Sequence, residues 1–294
     1  MNSNRKTFWV TWAIVSIMAI IGFSLVRVGF IDYGIGLFCA IPFCIGILTG
    51  IMSNPQKAIL GMIMAIAGFL LLLAFLGAEG AVCIVLAAPI VAVCIFIGYL
   101  VSLIIKYFTT PKDDLKLTIV PILLFAAAIA IESFWKGTTD YDEVTTTMRL
   151  QYPASDIYNN IKHVDTVTGK PSWLHDLGLP FPRKCVLTKE EKGGLRICEF
   201  DEGTIVETIT ALKENELLEM DVTEFNLPGQ RWLYFQKDIY RITGDDSSTA
   251  ISRTTTYTSS LKPRMYWKWI EKITIGAEQE LVFQNLKDEL SIRK

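Results

Sequence analysis

The strongest constraint on how this chain folds is a series of long apolar segments in its first 135 residues. Five of them reach or approach the roughly 20 residues that a helix needs to cross a hydrocarbon core of about 30 Å. They cover residues 8–26, 33–52, 58–77, 81–105 and 117–135. The sequence therefore predicts an α-helical membrane bundle of about five transmembrane helices in residues 1–136, followed by a folded domain in residues 140–294.

The fifth segment leaves the number of crossings open. Its uninterrupted apolar run covers only residues 117–131, and Glu132 follows it. A carboxylate is costly deep in lipid but tolerable near the interface, where Trp135 is also favoured. We expect this segment to cross the membrane. If it does not, the domain that follows lies on the cytoplasmic side.

Lysine and arginine residues near the helix ends predict the orientation of the bundle. One side of the predicted bundle holds Arg5, Lys6, Lys57, Lys106, Lys112 and Lys116, and the other side holds Arg27 and Lys136. This bias predicts a cytoplasmic N-terminus. Five crossings then place the C-terminal domain in the periplasm or outside the cell, and make the chain a multi-pass protein of the cell (inner) membrane.

Charge and composition exclude several classes of function. The net charge is -2, whereas a nucleic-acid-binding surface requires an excess of basic residues. The two histidines, His163 and His175, have no cysteine or histidine neighbours at zinc-site spacing. Neither a glycine-rich phosphate loop nor a G-x-S-x-G motif occurs. We therefore expect no metal, no cofactor and no nucleic-acid partner.

The second half of the chain changes to short alternating segments, which indicate strands. Candidate strands cover residues 144–152, 183–189, 194–200, 204–212, 217–223, 232–242 and 249–259. Two short helices are predicted at residues 153–163 and 172–179, and a long helix at 263–290. This order predicts an α+β domain in which a long helix covers one face of a curved antiparallel sheet.

Local sequence patterns support this architecture. They are YPASDIY at 152–158, WLHDLGLPFP at 173–182, Arg196-x-Cys198-x-Phe200-x-x-Gly203-x-x-x-Glu207-x-Ile209-Thr210, and Thr254-Thr255-Thr256-Tyr257 followed by Tyr266-Trp267. In these patterns and in element order, residues 144–290 resemble the helix-grip fold of the START-like (SRPBCC, polyketide cyclase/dehydrase) superfamily, in a membrane-anchored bacterial branch without an established reaction. The resemblance implies a cavity between sheet and helix. The last helix departs from that branch because AEQELVFQNL lacks the histidine often found there.

Glu207 is unusual in this layout because it stands among aliphatic residues. A three-residue loop at 201–203, with a type I turn and a bulge, would place Ile197 opposite Glu207. Alternation then directs Glu207 toward the long helix and puts Arg196 and Cys198 on the opposite face. The sequence thus predicts a carboxylate that points into the interior.

The same alternation brings further polar residues to the inward face. In the last strand, Arg253 and Tyr257 share a face with Ile251, and Tyr240 is predicted to point inward from the preceding strand. The candidate ligand-binding residues are therefore Glu207, Arg253, Tyr257 and Tyr240. In the helix-grip order the strands of Glu207 and Arg253 are not neighbours, so the two would meet across the cavity or through a ligand. The alternatives are a purely structural ion pair, an arginine that extends to solvent, and a strand register that differs from the predicted one.

Two cysteines are placed for a disulfide. Cys185 and Cys198 lie at equal distances from a turn centred between Glu191 and Lys192. Directly opposed residues of antiparallel strands approach closely enough to bridge, and an oxidising compartment would allow it. A shift of the turn by one residue would separate the two thiols.

Three functions are compatible with these features. The first is a membrane-anchored module that binds a lipid or another apolar small molecule. The second is a cyclase or dehydratase acting on a polyketide-like or aromatic substrate, with Glu207 and either Tyr240 or Tyr257 as the acid–base pair. The third is a structural or assembly module. A cavity of a few hundred Å³ favours the first two, and a hydrogen bond between Glu207 and a tyrosine hydroxyl favours the enzyme.

Overall fold

The computed structural model describes residues 3–75, 81–108, 119–134, 140–164, 166–167, 169–244 and 248–292. These residues form two compact units. The first unit contains the apolar helices and the segment Ser260–Tyr266, and the second contains the remainder of the second half. The predicted ends of the third and fifth spans, at Gly77, Leu117 and Trp135, lie outside the described residues, as do Lys112, Lys116 and Lys136.

The first unit is helical, as predicted. Its described apolar helices are α1 (Ser3–Arg27), α2 (Ile41–Ile51), α3 (Pro55–Phe75), α4 (Ala81–Phe108) and α5 (Ile119–Phe134), and a π-helical turn at Gly36–Ala40 leads into α2. Among the described residues, three helical segments are long and apolar enough to cross a membrane: Arg5–Arg27, Pro55–Leu73 and Ala81–Phe108. The segments Gly36–Ile51 and Ile119–Glu132 are apolar but shorter. These helices support membrane association, and five crossings remain a prediction.

Helices α2 and α4 pack closely at small residues. An added Cβ at Gly46 would collide with the carbonyl oxygen of Ile95, and one at Gly98 would collide with that of Phe43. The backbones can approach this closely only where side chains are absent, which is how small residues promote helix association in membranes.

Ten helices and strands follow in the described residues of the second half of the chain, in the predicted order. They are β1 (Asp140–Leu150), α6 (Ala154–Lys162), α7 (Trp173–Asp176), β2 (Pro182–Leu187), β3 (Leu195–Phe200), β4 (Gly203–Lys213), β5 (Leu217–Asn226), β6 (Leu233–Gly244), β7 (Thr249–Ser259) and α8 (Arg264–Ile292). The strands form one sheet in the order β1-β7-β6-β5-β4-β3-β2, and every neighbouring pair is antiparallel. Consecutive strands from β2 to β7 are neighbours, and β1 pairs with β7.

The sheet packs against the long helix α8 around a buried apolar cluster. Register shifts in β4 and β6 mark bulges, which bend a sheet and increase its twist. The fully buried side chains of Ile209, Leu218, Ile251 and Phe283 belong to one cluster that joins the central strands to α8. A curved antiparallel sheet around a long C-terminal helix is the helix-grip fold, so that prediction is confirmed.

The β3–β4 hairpin corrects the predicted register. Its turn contains two residues rather than three, because Phe200 pairs with Gly203. Gly203 has φ of +145°, and an added Cβ would collide with the carbonyl oxygen of Asn226. The shorter turn shifts the pairing by one residue, so Glu207 lies opposite Arg196 and not opposite Ile197. A shift of one residue reverses which face a side chain occupies, and Arg196 is therefore inward.

Candidate functional site

The interior contains a buried ion pair between neighbouring strands. Arg196 of β3 and Glu207 of β4 are each 2% exposed. The guanidinium Nη1 of Arg196 donates to Oε2 of Glu207 over 2.7 Å, and Nη2 donates to the carbonyl oxygen of Ile161 over 3.3 Å. The Nε of Arg196 is buried without a hydrogen-bond partner in the described part of the chain. A guanidinium has five N–H donors, so a large part of the donor capacity of this arginine is unused.

Arg253 forms a second and more complete ion cluster. Its Nε and Nη2 both donate to Oδ2 of Asp238, over 3.1 and 2.6 Å. Its Nη1 donates to both carboxylate oxygens of Glu278 in α8, over 3.0 and 2.9 Å. Every nitrogen of this guanidinium therefore contacts a carboxylate. Arg253 is bound to its own protein and has little capacity left for a ligand.

Tyr240 links the two arginines. It lies directly opposite Arg253 in the β6–β7 pair. The Cζ atoms of Arg196 and Arg253 lie over its ring, 5.6 and 5.4 Å from the ring centroid. Both distances are within the range of cation–π attraction. Glu207 and Arg253 make no direct contact, so the predicted meeting of these two residues does not occur through their side chains.

Further polar contacts join the sheet to α8. Gln279 donates to Oγ1 of Thr255 over 2.8 Å and accepts from Oγ1 of Thr146 over 2.6 Å. Nearer the start of α8, the hydroxyl of Tyr257 donates to Glu271 over 3.1 Å. Buried polar groups must be paired to avoid a large desolvation cost, and these contacts satisfy several of them. Tyr257 is thus placed inward as predicted, but its described partner is a helix carboxylate and not Glu207.

Burial raises the pKa values of several acidic groups in this interior. Burial raises the pKa of Glu207 to about 7, and the positive charge of Arg196 opposes that change without cancelling it. Burial also raises the pKa of Glu278, against the opposing charge of Arg253. For Tyr240, burial raises the pKa to about 12. Burial therefore shifts Glu207 toward its neutral form, in which it does not compensate the charge of Arg196.

A small pocket opens beside Arg196, whose donors are incompletely hydrogen-bonded. It lies between α6 and the C-terminal half of α8, and Arg196, Tyr240, Ile161, Val282 and Leu286 line it. Its free volume of ≈ 10 Å³ accommodates about one water molecule. A typical small-molecule site encloses several hundred Å³, so this pocket is much smaller than the predicted cavity. A bulky ligand would require α8 to move or would lie mainly outside the pocket.

A disulfide lies at the edge of this site. Cys185 and Cys198 are directly opposed in β2 and β3, with Cα atoms 4.1 Å apart, and their sulfur atoms are joined. Cys185 also exchanges two backbone hydrogen bonds with Val164, which lines the pocket. The Sγ of Cys198 lies 3.9 Å from Glu207, but a disulfide sulfur has no proton to donate. The covalent link thus connects one wall of the pocket to the strand that carries Arg196.

Four inward orientations predicted from the sequence are confirmed by burial. Glu207, Arg253, Tyr240 and Tyr257 are all buried, although their role in ligand binding remains a prediction. Arg196 was missed because of the wrong register. Asp238 was also missed, although it lies two residues before Tyr240 and therefore points to the same face. The alternation of side chains along β6 would have been enough to predict that Asp238 also points inward.

The missed helix residues also follow a simple spacing. Glu271 and Gln279 lie four residues before and after the buried Ile275, on the same face of α8. A polar residue at such a position was not expected because the prediction used only apolar residues to define the buried face. Glu278 lies beside Gln279 and reaches Arg253.

Among the described residues, Glu207 does not form the predicted acid–base pair with Tyr240 or Tyr257. Glu207 bonds to Arg196, and no tyrosine hydroxyl in the described ranges hydrogen-bonds to it. Nor do the described residues contain a group of three or more His, Cys, Asp or Glu side chains that could hold a metal ion. The chemistry that this arrangement offers is hydrogen-bond donation from a buried guanidinium.

No protein-family model matches the sequence, and no curated protein matches it. Solved structures resemble the C-terminal half. Protein Ms6760 from Mycobacterium smegmatis is 14% identical, with a TM-score of 0.35, over 54% of this chain and 99% of that chain. Norcoclaurine synthase from Thalictrum flavum, in complex with dopamine and hydroxybenzaldehyde, is 18% identical, with a TM-score of 0.35, over 53% of this chain and 90% of that chain. A START superfamily protein from Mycobacterium smegmatis is 13% identical, with a TM-score of 0.38, over 52% and 99%.

Proposed function

We propose that the second unit is a ligand-binding module for a lipid or another apolar small molecule, attached to a membrane by the helices of the first unit. The observation that carries this proposal is the buried Arg196, whose Nε has no partner in the described part of the chain and whose side chain lines a pocket. A buried donor without an acceptor costs about 1–3 kcal/mol, and more when it is charged. A bound polar group would remove that cost.

The walls of the pocket support an amphipathic ligand. Ile161, Val164, Val282 and Leu286 provide apolar surface, and Arg196 provides a donor at one side. A few polar groups within a mainly apolar site are the usual arrangement for small-molecule recognition. Because the free volume is small, the ligand body would enter only if α8 moves outward, or would rest at the mouth with its polar end inside.

The other two functions receive less support from the site. A cyclase or dehydratase would need a proton donor and acceptor in contact with each other, and Glu207 is bonded to Arg196. A structural or assembly module is the stronger competitor, because the Arg253 cluster is complete without a ligand and because the pocket is far smaller than the few hundred Å³ that would favour ligand binding. The incomplete bonding of Arg196 distinguishes ligand binding from a structural role.

We place the module on the outer side of the cell membrane. The proposal combines five crossings with the Lys and Arg bias of the sequence. An oxidising location is also compatible with the disulfide between Cys185 and Cys198.

Native mass spectrometry of the full chain in a neutral detergent tests ligand binding. We expect the wild type to retain a co-purified small molecule, and Val282→Phe to lose it because the larger side chain fills the pocket. The matched control is Val186→Phe, the same change on an exposed position of β2, which should retain the molecule. If the wild type carries no small molecule and binds none from a lipid extract, the module is structural and the proposal is wrong.

A further inference from the structure

The two buried arginines offer an internal comparison of their donor groups. In Arg253, the edge formed by Nε and Nη2 binds a carboxylate, that of Asp238. In Arg196, the corresponding Nε has no partner in the described residues, and Nη2 makes a 3.3 Å contact with a backbone carbonyl. Both arginines are buried against the ring of Tyr240. A carboxylate therefore completes this edge in Arg253, whereas the same edge of Arg196 is incomplete in the described residues.

We infer that the unfilled Nε edge of Arg196 binds the carboxylate of an apolar ligand, so that the ligand class is a lipophilic carboxylic acid. The inference rests on the proposed ligand-binding function and specifies the polar end of the ligand. Planar carboxylates match the fork of N–H donors along a guanidinium edge, and charge-assisted hydrogen bonds of this kind are about twice as strong as neutral ones.

The charges around the pocket are compatible with one additional anion. Glu207 is the ion-pair partner of Arg196, and burial favours its neutral form, in which the positive charge of the guanidinium is not compensated. Glu289 also lines the pocket, and its Oε1 accepts from Asn285 over 3.0 Å. This second carboxylate opposes an anionic ligand. Selectivity must therefore come from the Arg196 edge and not from a generally basic surface.

Binding of three eight-carbon probes to the full chain in a neutral detergent tests the inference. The probes are octanoate, octan-1-ol and octyl phosphate, which share one alkyl chain and differ in the polar end. We expect octanoate to bind roughly 10- to 100-fold more tightly than octan-1-ol, the range that one or two hydrogen bonds to a charged group provide. Tighter binding of octyl phosphate than of octanoate would assign the edge to a phosphate and overturn the inference.

Arg196→Lys is the decisive variant. It keeps a positive charge beside Glu207 but removes the planar Nε edge. We expect octanoate affinity to fall by about tenfold or more and octan-1-ol affinity to fall much less, because the hydroxyl carries no charge to pair with the guanidinium. The matched control is Arg183→Lys, the same substitution at an exposed position of β2, which should leave both affinities unchanged. If Arg196→Lys fails to fold, Val282→Phe tests the pocket with Arg196 intact and should abolish octanoate binding.

The outcomes separate this inference from the proposed function. If octanoate and octan-1-ol bind equally, and Arg196→Lys leaves both unchanged, the apolar site stands and the carboxylate assignment is wrong. If no probe binds to the folded wild type, both are wrong.

Discussion

Replacing Glu207 by glutamine should change how the stability of the protein depends on pH. The substitution keeps the shape of the side chain and an acceptor for Arg196, but it removes the titratable group. The pKa of Glu207 is raised from 4.5 to about 7, mainly because burial disfavours the charged form. A carboxyl group whose pKa is higher in the folded state than in the unfolded state stabilises the fold less as pH rises through that interval.

The expected magnitude follows from the two pKa values. At about 1.4 kcal/mol for each pKa unit, ionised Glu207 is about 3 kcal/mol less favourable in the folded state than in the unfolded state. The effect is small at pH 5, where the folded group is protonated, and nearly complete at pH 8. Between these values the wild type should lose roughly 2 to 3 kcal/mol of stability relative to Glu207→Gln. Other titrating groups are common to both proteins and cancel in the difference.

Denaturant unfolding followed by tryptophan fluorescence, at several pH values between 5 and 8, measures this difference. The stabilities of wild type and Glu207→Gln should be similar near pH 5 and diverge in favour of the variant toward pH 8. Parallel pH profiles would show that Glu207 does not titrate in this range. A divergence in favour of the wild type would show that Arg196 lowers the pKa of Glu207 more than burial raises it, and the reasoning would be refuted.

Three further predictions concern the disulfide, the membrane topology and the two arginine ion clusters. Non-reduced peptide mass spectrometry of protein from its native compartment should find Cys185 bonded to Cys198, and two free thiols would end that prediction. A reporter that is active only outside the cytoplasm, fused after Lys294, should be active; activity of a cytoplasmic reporter instead would show that the fifth span does not cross. Arg253→Met should cost about 3–5 kcal/mol of unfolding free energy because it leaves the buried carboxylate of Asp238 and the partly buried carboxylate of Glu278 without their cation. Arg196→Met should cost less at neutral pH, since its single acidic partner can take up a proton, and equal losses in denaturant unfolding would contradict this difference.

The architecture was largely predictable from sequence because it depends on local and repeated signals. A run of about 20 apolar residues, as in α4, indicates a helix in lipid whatever surrounds it. Alternation in residues 249–259 indicated β7, and it correctly directed Arg253 and Tyr257 inward. Each of these signals averages over many residues, so an error at one position does not change the result.

The composition of the site was less predictable because it depends on single-residue registers and on distant pairs. The turn after Phe200 could hold two or three residues, and that choice alone decided whether Arg196 faced solvent or Glu207. The contacts of Arg253 join residues from two strands and a helix, up to 25 positions apart. No local pattern specifies such a pairing.

The sequence by itself determined that the chain has an apolar helical half and an α+β half, and that Glu207 points inward. Only the tertiary structure decided which residue pairs with Glu207, that every nitrogen of the Arg253 guanidinium has a partner, and that Arg196 is incompletely hydrogen-bonded. The physical reason is that burial of a side chain follows from periodicity along one strand, whereas the satisfaction of its donors and acceptors depends on every element packed against it. A buried polar residue can therefore be located from sequence, but whether it has capacity for a ligand can be judged only when its neighbours are in place.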